Sequence, residues 1–289
     1  MIAASADTQR IDAALLDWRQ GDVILGSALH FIHQADLVHP VSDEAAANAP
    51  AQAAGPAGQT NIAILESTFP GFIVVTQTCD VVRGCRERPY VELAPLVEAD
   101  AAFVAEVKSL RRPSFAYVPT VADRNLVADL DRTMTIEKGL LAGLPRAQGV
   151  TTDAEIRAFA SALARKRARF AFPDSFTDLM KPLSGLLKKR YGKNNAEGHH
   201  VDALQEIRVA ARPSWDGNGI ALVFWFIKGT EPANPDWSKW VAEWLALVKP
   251  TATYTAIEGL TVRLDDMTAR DYVESEHLDL DQLSADEDN

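Results

Sequence analysis

The spacing of apolar positions changes several times along this chain, and each spacing predicts a different kind of element. Helical spacing predicts a helix over residues 7–19. Apolar and β-branched runs predict strands over 20–32, 71–77 and 89–97. Between the first two strands, residues 42–61 are rich in Ala, Pro, Gly and Asn and have little to bury, which predicts a flexible surface insertion.

The middle of the chain has the clearest helical pattern. Apolar residues at helical spacing predict a helix over 153–170, with Asp153 suited to its first turn. A second helical stretch follows Pro173 and ends near Gly192, a plausible C-terminal cap. Pro182 lies inside this stretch and is expected to kink or split it, because proline has no main-chain N–H to donate.

The last third of the chain predicts a sheet with one helix. Apolar runs on either side of the turn-forming residues 216–219 predict a β-hairpin over 203–229. The tryptophan-rich segment 237–248 has helical spacing, and 252–264 predicts either one bulged strand or a second hairpin. This β-β-α-β order is typical of an α+β layer.

The sequence therefore predicts an α+β fold with two lobes. The first lobe, residues 1–125, is expected to be a small β-barrel. The second lobe, residues 126–289, is expected to hold basic helices over 153–192, the β-hairpin–helix–strand layer and an acidic tail over 265–289.

Composition narrows the class of protein. The chain has 289 residues, of which 47% are hydrophobic and 24% are charged, as is usual for globular proteins. Apolar runs stay well short of the roughly 18 residues that a membrane span needs, and the first residues lack the pattern of a secretory signal. Two cysteines do not make a disulfide framework. We expect a cytoplasmic protein that does not enter a membrane.

Charge is distributed unevenly around a net value of −11. Residues 151–195 hold ten Lys and Arg against four acids, whereas residues 263–289 hold ten acids against two Arg. The basic segment, with Phe170 and Phe172 beside it, predicts a nucleic-acid-binding face; the alternative is a solvated helix face paired with acids elsewhere. The residues of the predicted face are Arg165, Lys166, Arg167, Arg169, Lys188, Lys189 and Arg190.

The stretch Gly71–Cys85 contains both cysteines. If residues 72–82 are extended, Cys79 shares a side with aliphatic residues, which favours a buried core cysteine over a nucleophile. Thr76, Thr78 and Asp80 then form a polar cluster on the opposite side. These three residues, with Cys79 as the alternative nucleophile, are the predicted catalytic candidates.

A zinc site is the one cofactor hypothesis that the residues suggest. His30, His33, Cys79 and Cys85 supply the nitrogen and sulfur ligands of a tetrahedral site, although their spacing is not that of a zinc finger. The alternative is that both histidines are half-exposed residues of an edge strand. Otherwise we expect no cofactor.

Residues 19–98 begin with "RQGDVI" at a strand start, continue with "GFIVVTQT", a strand that ends in hydroxyl residues, and close with "PYVELAPLV". This order of elements resembles the small SH3-like barrel of the PemK/MazF toxin family. It implies a barrel, a setting in toxin–antitoxin or phage-defence systems, and Thr76 at the hydroxyl position of an RNA-cleaving site. Two features depart from the family: Pro70-Gly71-Phe72 replaces its basic residue, and an insertion of about twenty residues separates the first two strands.

The functional hypothesis is a bacterial cytoplasmic interaction or nucleic-acid-associated component of a defence or toxin–antitoxin-type system, working with a protein partner. The tryptophan-rich helix is either part of that partner surface or part of the core. The alternative is an enzyme centred on Thr76, Cys79 and Asp80: a degenerate PemK/MazF-like ribonuclease, or a Cys/His or zinc-dependent hydrolase.

Overall fold

The structure is a computed structural model, and it describes residues 6–26, 28–49, 60–110, 112–168, 170–229 and 236–278. Helices and strands are both abundant, so the predicted α+β class is confirmed. The chain forms two compact units, Met1–Arg167 and Ala168–Asn289, which we call unit 1 and unit 2. In the described ranges, no helix has the length and apolar character required to cross a membrane.

Unit 1 contains six helices and nine strands in its described residues. The helices are α1 (Ala6–Leu15), α2 (Asp43–Asn48), α3 (Thr78–Val81), α4 (Ala101–Lys108), α5 (Lys138–Leu141) and α6 (Asp153–Arg167), with a 3₁₀ turn at Pro119–Arg124. The strands are β1 (Asp22–Leu25), β2 (His30–Asp36), β3 (Ile62–Thr68), β4 (Gly71–Val74), β5 (Tyr90–Glu98), β6 (Phe115–Ala116), β7 (Leu126–Asp129), β8 (Met134–Glu137) and β9 (Ala147–Gln148).

A curled antiparallel sheet forms the centre of unit 1. Its strands run in the order β6-β7-β5-β4-β1-β9, and β8 also pairs with β5. Strand β4 lies in the middle and is buried on both faces, which explains its continuous apolar sequence. Closure of this sheet into a barrel stays a prediction.

Each face of the sheet has its own hydrophobic core. Ile73 of β4 points into a core that α6 covers with Phe159 and Ala162. Phe72 and Val74 point to the other side, where the core includes Leu15 of α1 and Trp18. Because successive side chains of a strand alternate, the short strand β4 supports both cores.

The prediction of one continuous strand over 20–32 is wrong, because the structure has two strands there, β1 and β2. Gly26 has a φ of 93°, a left-handed conformation that favours glycine, and it ends β1. The chain then forms β2, which pairs with β3 in a separate two-stranded ribbon. Within the predicted flexible insertion, α2 is an ordered helix capped by the Ser42 side chain, which accepts from Ala45 N; residues 50–59 lie outside the described residues.

The division between the units falls later than the predicted boundary at residue 125. Strands β7 and β8, which follow that point, both pair with β5 of unit 1. Helix α6 also belongs to unit 1, because its apolar face lies in the core around Ile73. Sequence periodicity shows each of these elements separately but does not show which sheet they join.

Unit 2 contains four helices and four strands in its described residues. The helices are α7 (Asp174–Arg190), α8 (Ala196–Ala203), α9 (Trp237–Leu245) and α10 (Ala269–Val273), with a 3₁₀ turn at Leu264–Asp266. The strands are β10 (Leu204–Arg212), β11 (Ile220–Lys228), β12 (Tyr254–Arg263) and β13 (Glu276–Leu278).

The sheet of unit 2 has the order β12-β11-β10-β13, and α9 connects the parallel strands β11 and β12. The predicted hairpin is present as β10 and β11, and 254–263 forms one strand. Helix α7 continues through Pro182 without splitting. Trp237 and Trp244 of α9 are buried in the core with Phe224 and Phe226, so most of the tryptophan stripe is core. Of the predicted acidic tail, residues 279–289 lie outside the described residues.

Candidate functional site

Strand β4 ends at Val74, and this early ending determines the geometry of the predicted catalytic residues. The Val75 N–H still donates to Glu92 O at 3.0 Å, after which the chain leaves the sheet and forms the single turn α3. The expectation that residues 72–82 are extended is therefore wrong. Cys79 is correspondingly exposed, and its predicted place in the core is also wrong.

The two predicted threonines are fixed by main-chain donors. Thr76 Oγ1 accepts a 2.6 Å hydrogen bond from Glu92 N, and Thr78 Oγ1 accepts a 3.0 Å hydrogen bond from Gln20 N. The Gln20 side chain donates to Val75 O at 2.8 Å, which ties the segment before β1 to the end of β4. Each hydroxyl keeps its own proton to donate to a further partner.

Arg167, the last residue of α6, contacts Glu92 near this strand end, although the two residues are 75 positions apart in the sequence. Its Nη2 lies 2.6 Å from Glu92 Oε2, and both side chains are partly exposed. The sequence predicts Arg167 in a basic face and Thr76 in a catalytic cluster. In the structure both bond to Glu92, Arg167 through the carboxylate and Thr76 through the main-chain N–H. We call Gln20, Thr76, Thr78, Glu92 and Arg167 the strand-end cluster.

Asp80 lies on α3 beside the strand-end cluster and faces two further arginines. Its Oδ1 is 3.9 Å from Arg83 Nη1 and 3.9 Å from Arg88 Nε, and all three side chains are substantially exposed. Tyr90 opens β5 two residues before Glu92, so the two side chains lie on the same face of that strand. Tyr90 is 57% exposed. The surface around the strand end is thus rich in arginine and carries one exposed aromatic ring.

Lys138 supports this surface from beneath, and sequence reasoning missed it. The residue is fully buried, and its Nζ donates to Asp80 O and Arg83 O, the carbonyls at the end of α3. Burial lowers the pKa of Lys138, and the neighbouring carboxylate of Asp12 partly opposes that shift. A lone lysine in the segment "TIEKG" gives no sequence signal of such burial, since lysine is normally a surface residue.

The four predicted zinc ligands are not brought together. Cys79 is exposed with its Sγ 3.7 Å from Gln77 Oε1, whereas Cys85 is half-buried and its N–H donates to Asp12 Oδ1 at 2.7 Å. His30 lies on the outer face of β2 near Glu66, and His33 lies on the opposite face. Within the ranges that the structure describes, no group of three or more His, Cys, Asp and Glu residues is arranged to hold a metal ion. Burial and the Asp12 carboxylate raise the pKa of the Cys85 thiol.

The other predicted basic residues belong to two different units. In unit 1, Lys166 forms an ion pair with Asp131 and lies 3.3 Å from Ser114 Oγ. In unit 2, Arg190 Nε lies 2.5 Å from Glu197 Oε2. Arg165 is on α6 with Lys166, and Lys188 and Lys189 are in the last turn of α7. Arg169 lies outside the described residues.

The strand-end cluster combines hydrogen-bond donors with one carboxylate, which balances the charge of its guanidinium. Threonine O–H groups and a guanidinium are donors, and a guanidinium offers a planar fork that matches phosphate oxygens. The cluster has no histidine, and its carboxylate is paired with Arg167, so a base positioned to activate a hydroxyl is absent from these five residues. Compared with known proteins, this chain matches no family model, no curated protein and no solved structure.

Proposed function

We propose that unit 1 binds nucleic acid through the strand-end cluster and the arginines next to it. The observation that carries this proposal is that Arg167 and Thr76 both bond to Glu92, Arg167 through its carboxylate and Thr76 through its main-chain N–H. A guanidinium beside hydroxyl donors can contact one phosphate group, and Arg83 and Arg88 extend the cationic surface to neighbouring phosphates.

The exposed ring of Tyr90 supports single-stranded nucleic acid as the ligand. Bases of a single strand are free to stack on an aromatic side chain, whereas those of a duplex are already stacked on each other. Tyr90 lies on the same face of β5 as Glu92, so a base on this ring would keep its phosphate within reach of Arg167.

We propose binding and not cleavage as the primary activity. Thr76 and Thr78 both accept main-chain hydrogen bonds, which orient the hydroxyls but do not deprotonate them. We further propose that the protein acts with a protein partner in the bacterial cytoplasm, in a defence or toxin–antitoxin-type system. This setting rests on the resemblance of residues 19–98 to the PemK/MazF barrel.

Fluorescence anisotropy with a labelled single-stranded RNA, measured over a series of KCl concentrations, tests the binding proposal. Arg167→Gln is expected to weaken binding roughly tenfold and to reduce the slope of log affinity against log salt by about one, because one phosphate contact is lost. Arg157→Gln is the matched control, since Arg157 is an exposed arginine of the same helix paired with Asp153 at 3.2 Å. Unchanged affinity for Arg167→Gln, or an equal loss for both variants, would contradict the proposal.

A gel assay of the same RNA separates binding from the ribonuclease alternative. Intact RNA after prolonged incubation with a molar excess of protein supports a binding role. Cleavage that disappears in Thr76→Val but persists in Thr68→Val, an exposed threonine of β3 outside the cluster, would replace our proposal with the ribonuclease.

A further inference from the structure

A concave site lies in unit 1 against the ribbon β2–β3. It has a volume of about 730 Å³ and lies between one face of the ribbon, α2 and the residues 131–133 that precede β8. Pockets that hold small molecules usually measure roughly 300–1,000 Å³, so this one has the size of a ligand site. It shares no residue with the strand-end cluster.

The ribbon presents apolar and polar groups together on the pocket wall. Phe31 pairs with Ser67 and His33 with Leu65, so these side chains share one face of the ribbon. The Phe31 and His33 rings stack with centroids 5.5 Å apart. Val41 and Ala45 add apolar surface from the segment around α2. The wall can thus take a hydrophobic or aromatic group.

Two polar atoms of this wall have no hydrogen-bond partner among the described residues. They are His33 Nδ1 and Ser67 Oγ, and both atoms are shielded from solvent. A buried polar atom without a partner costs about 1–3 kcal/mol. Both residues line the pocket, so a side-chain rotation would let these atoms accept from a ligand with N–H groups.

The charge of the lining is strongly acidic. Four carboxylates, those of Asp36, Asp43, Glu44 and Asp131, line the pocket against the single guanidinium of Arg132 and the His39 ring, whose Nδ1 lies 3.2 Å from Asp36 Oδ2. The Arg132 guanidinium is itself engaged, 2.8 Å from Asp129 Oδ2 and 3.9 Å from Glu44 Oε1. Two charged groups outside the lining, Asp129 beside Arg132 and Lys166 beside Asp131, have opposite charges that cancel. An anion is therefore disfavoured here and a cation is favoured.

We propose that this pocket binds a small organic cation, a primary amine carried on an aromatic or apolar group. The amine supplies N–H donors to the carboxylates, to Ser67 Oγ and to His33 Nδ1, and the apolar group packs against Phe31 and Val41. The acceptor-rich lining selects the ammonium, and the ribbon face selects the hydrophobic group.

The test uses phenethylamine as the probe, with 2-phenylethanol as its uncharged counterpart and phenylacetate as the anion. Amide shifts of the full chain are followed by NMR during each titration. We expect saturable shifts in residues 31–45, 67 and 131–133 with the amine, at least about tenfold weaker binding of the alcohol, and no saturation with the anion. Equal binding of all three probes, or shifts confined to other residues, would overturn the proposal.

Two matched pairs of variants locate the ligand within the pocket. Ser67→Ala and Glu44→Gln are each expected to weaken phenethylamine binding about three- to tenfold. Their controls are Thr68→Val, the next residue on the outer face of the ribbon, and Glu66→Gln, an exposed carboxylate also on that face. An equal loss of affinity in a control variant and its matched pocket variant would show that this lining does not hold the ammonium, and it would contradict the proposal.

Discussion

The buried ammonium of Lys138 donates a 2.7 Å hydrogen bond to the main-chain carbonyl of Asp80, 58 residues earlier in the chain. A second bond of 2.6 Å goes to Arg83 O, so one lysine closes the C-terminal end of α3. Unpaired carbonyls at a helix end need such partners. The position of Asp80, and of the arginines that face it, thus depends on a residue of α5.

Lys138→Met is expected to destabilise unit 1 by about 2–4 kcal/mol, because methionine keeps the apolar stem but leaves two carbonyls without a donor. Urea unfolding followed by tryptophan fluorescence measures this change. Lys108→Met is the control, at an exposed lysine of α4 whose Nζ lies 5.4 Å from the centre of the Tyr117 ring, and it should change the stability by less than about 1 kcal/mol. Equal effects of the two substitutions would show that the Lys138 bonds contribute little.

The difference in stability between the natural protein and Lys138→Met should increase as the pH rises. Burial lowers the pKa of Lys138 below its ordinary value of 10.5 in the folded state. Between the folded and unfolded pKa values the unfolded chain binds more protons, so the Lys138 contribution to the free energy of unfolding increases with pH. The stability difference between the natural protein and Lys138→Met should therefore widen toward pH 10.5, as measured by urea unfolding at several alkaline pH values. A difference that narrows over this range would contradict the lowered pKa of Lys138 in the folded state.

Local sequence patterns predict the helices and strands better than they predict the contacts between them. The hairpin of β10 and β11 and the helices α7 and α9 follow from periodicity, since each buries a face of regular spacing. The pairing of Arg167 with Glu92 could not be predicted, because it joins two elements whose contact depends on the curl of the sheet. Cys79 was misplaced for a related reason: alternation holds only while the chain stays in the sheet, and β4 ends at Val74.

The start of α6 provides a prediction in the acidic range. Glu155 Oε2 accepts from Thr151 N at 2.7 Å and from Thr152 N at 2.9 Å, while Glu155 N donates to Thr152 Oγ1. These bonds form a capping box, and they hold the pKa of Glu155 at about 2. The pKa of Glu155 is lower in the folded protein than its ordinary value of 4.5. The carboxylate therefore stabilises the fold above pH 4.5, and this contribution is lost as the pH falls through about 2.

Glu155→Gln should accordingly lower the midpoint of thermal unfolding at pH 6, with a difference from the natural protein that shrinks as the pH approaches 2. Glu87→Gln, at an exposed carboxylate of the same unit, is the control for loss of one negative charge. A pH-independent difference for Glu155→Gln would mean that the cap acts through shape alone and not through its charge.

The two cysteines should differ clearly in reactivity. Cys79 is exposed on α3, whereas Cys85 is half-buried and has a raised pKa. Because the thiolate is the reactive form, a disulfide reagent such as DTNB should react at pH 8 with two phases, and the fast phase should be at least about tenfold faster. Cys79→Ser should remove the fast phase and Cys85→Ser the slow one. A single phase in the folded protein would contradict the placement of Cys79 outside the core.

The exposed ring of Tyr90 makes the proposed preference for single strands measurable. Loss of one stacked base costs about 1–3 kcal/mol, so Tyr90→Ala is expected to weaken binding of a single-stranded RNA by roughly five- to a hundredfold. Tyr90→Phe retains the ring and should bind within about twofold of the natural protein. Duplex RNA of the same sequence should respond little to either change, since its bases are not free to stack. A Tyr90→Ala variant that loses affinity for both duplex and single strand would point to disturbed folding of β5. A variant that keeps its affinity for both would contradict stacking on Tyr90. The salt dependence of the Arg167→Gln variant tests the phosphate contact separately.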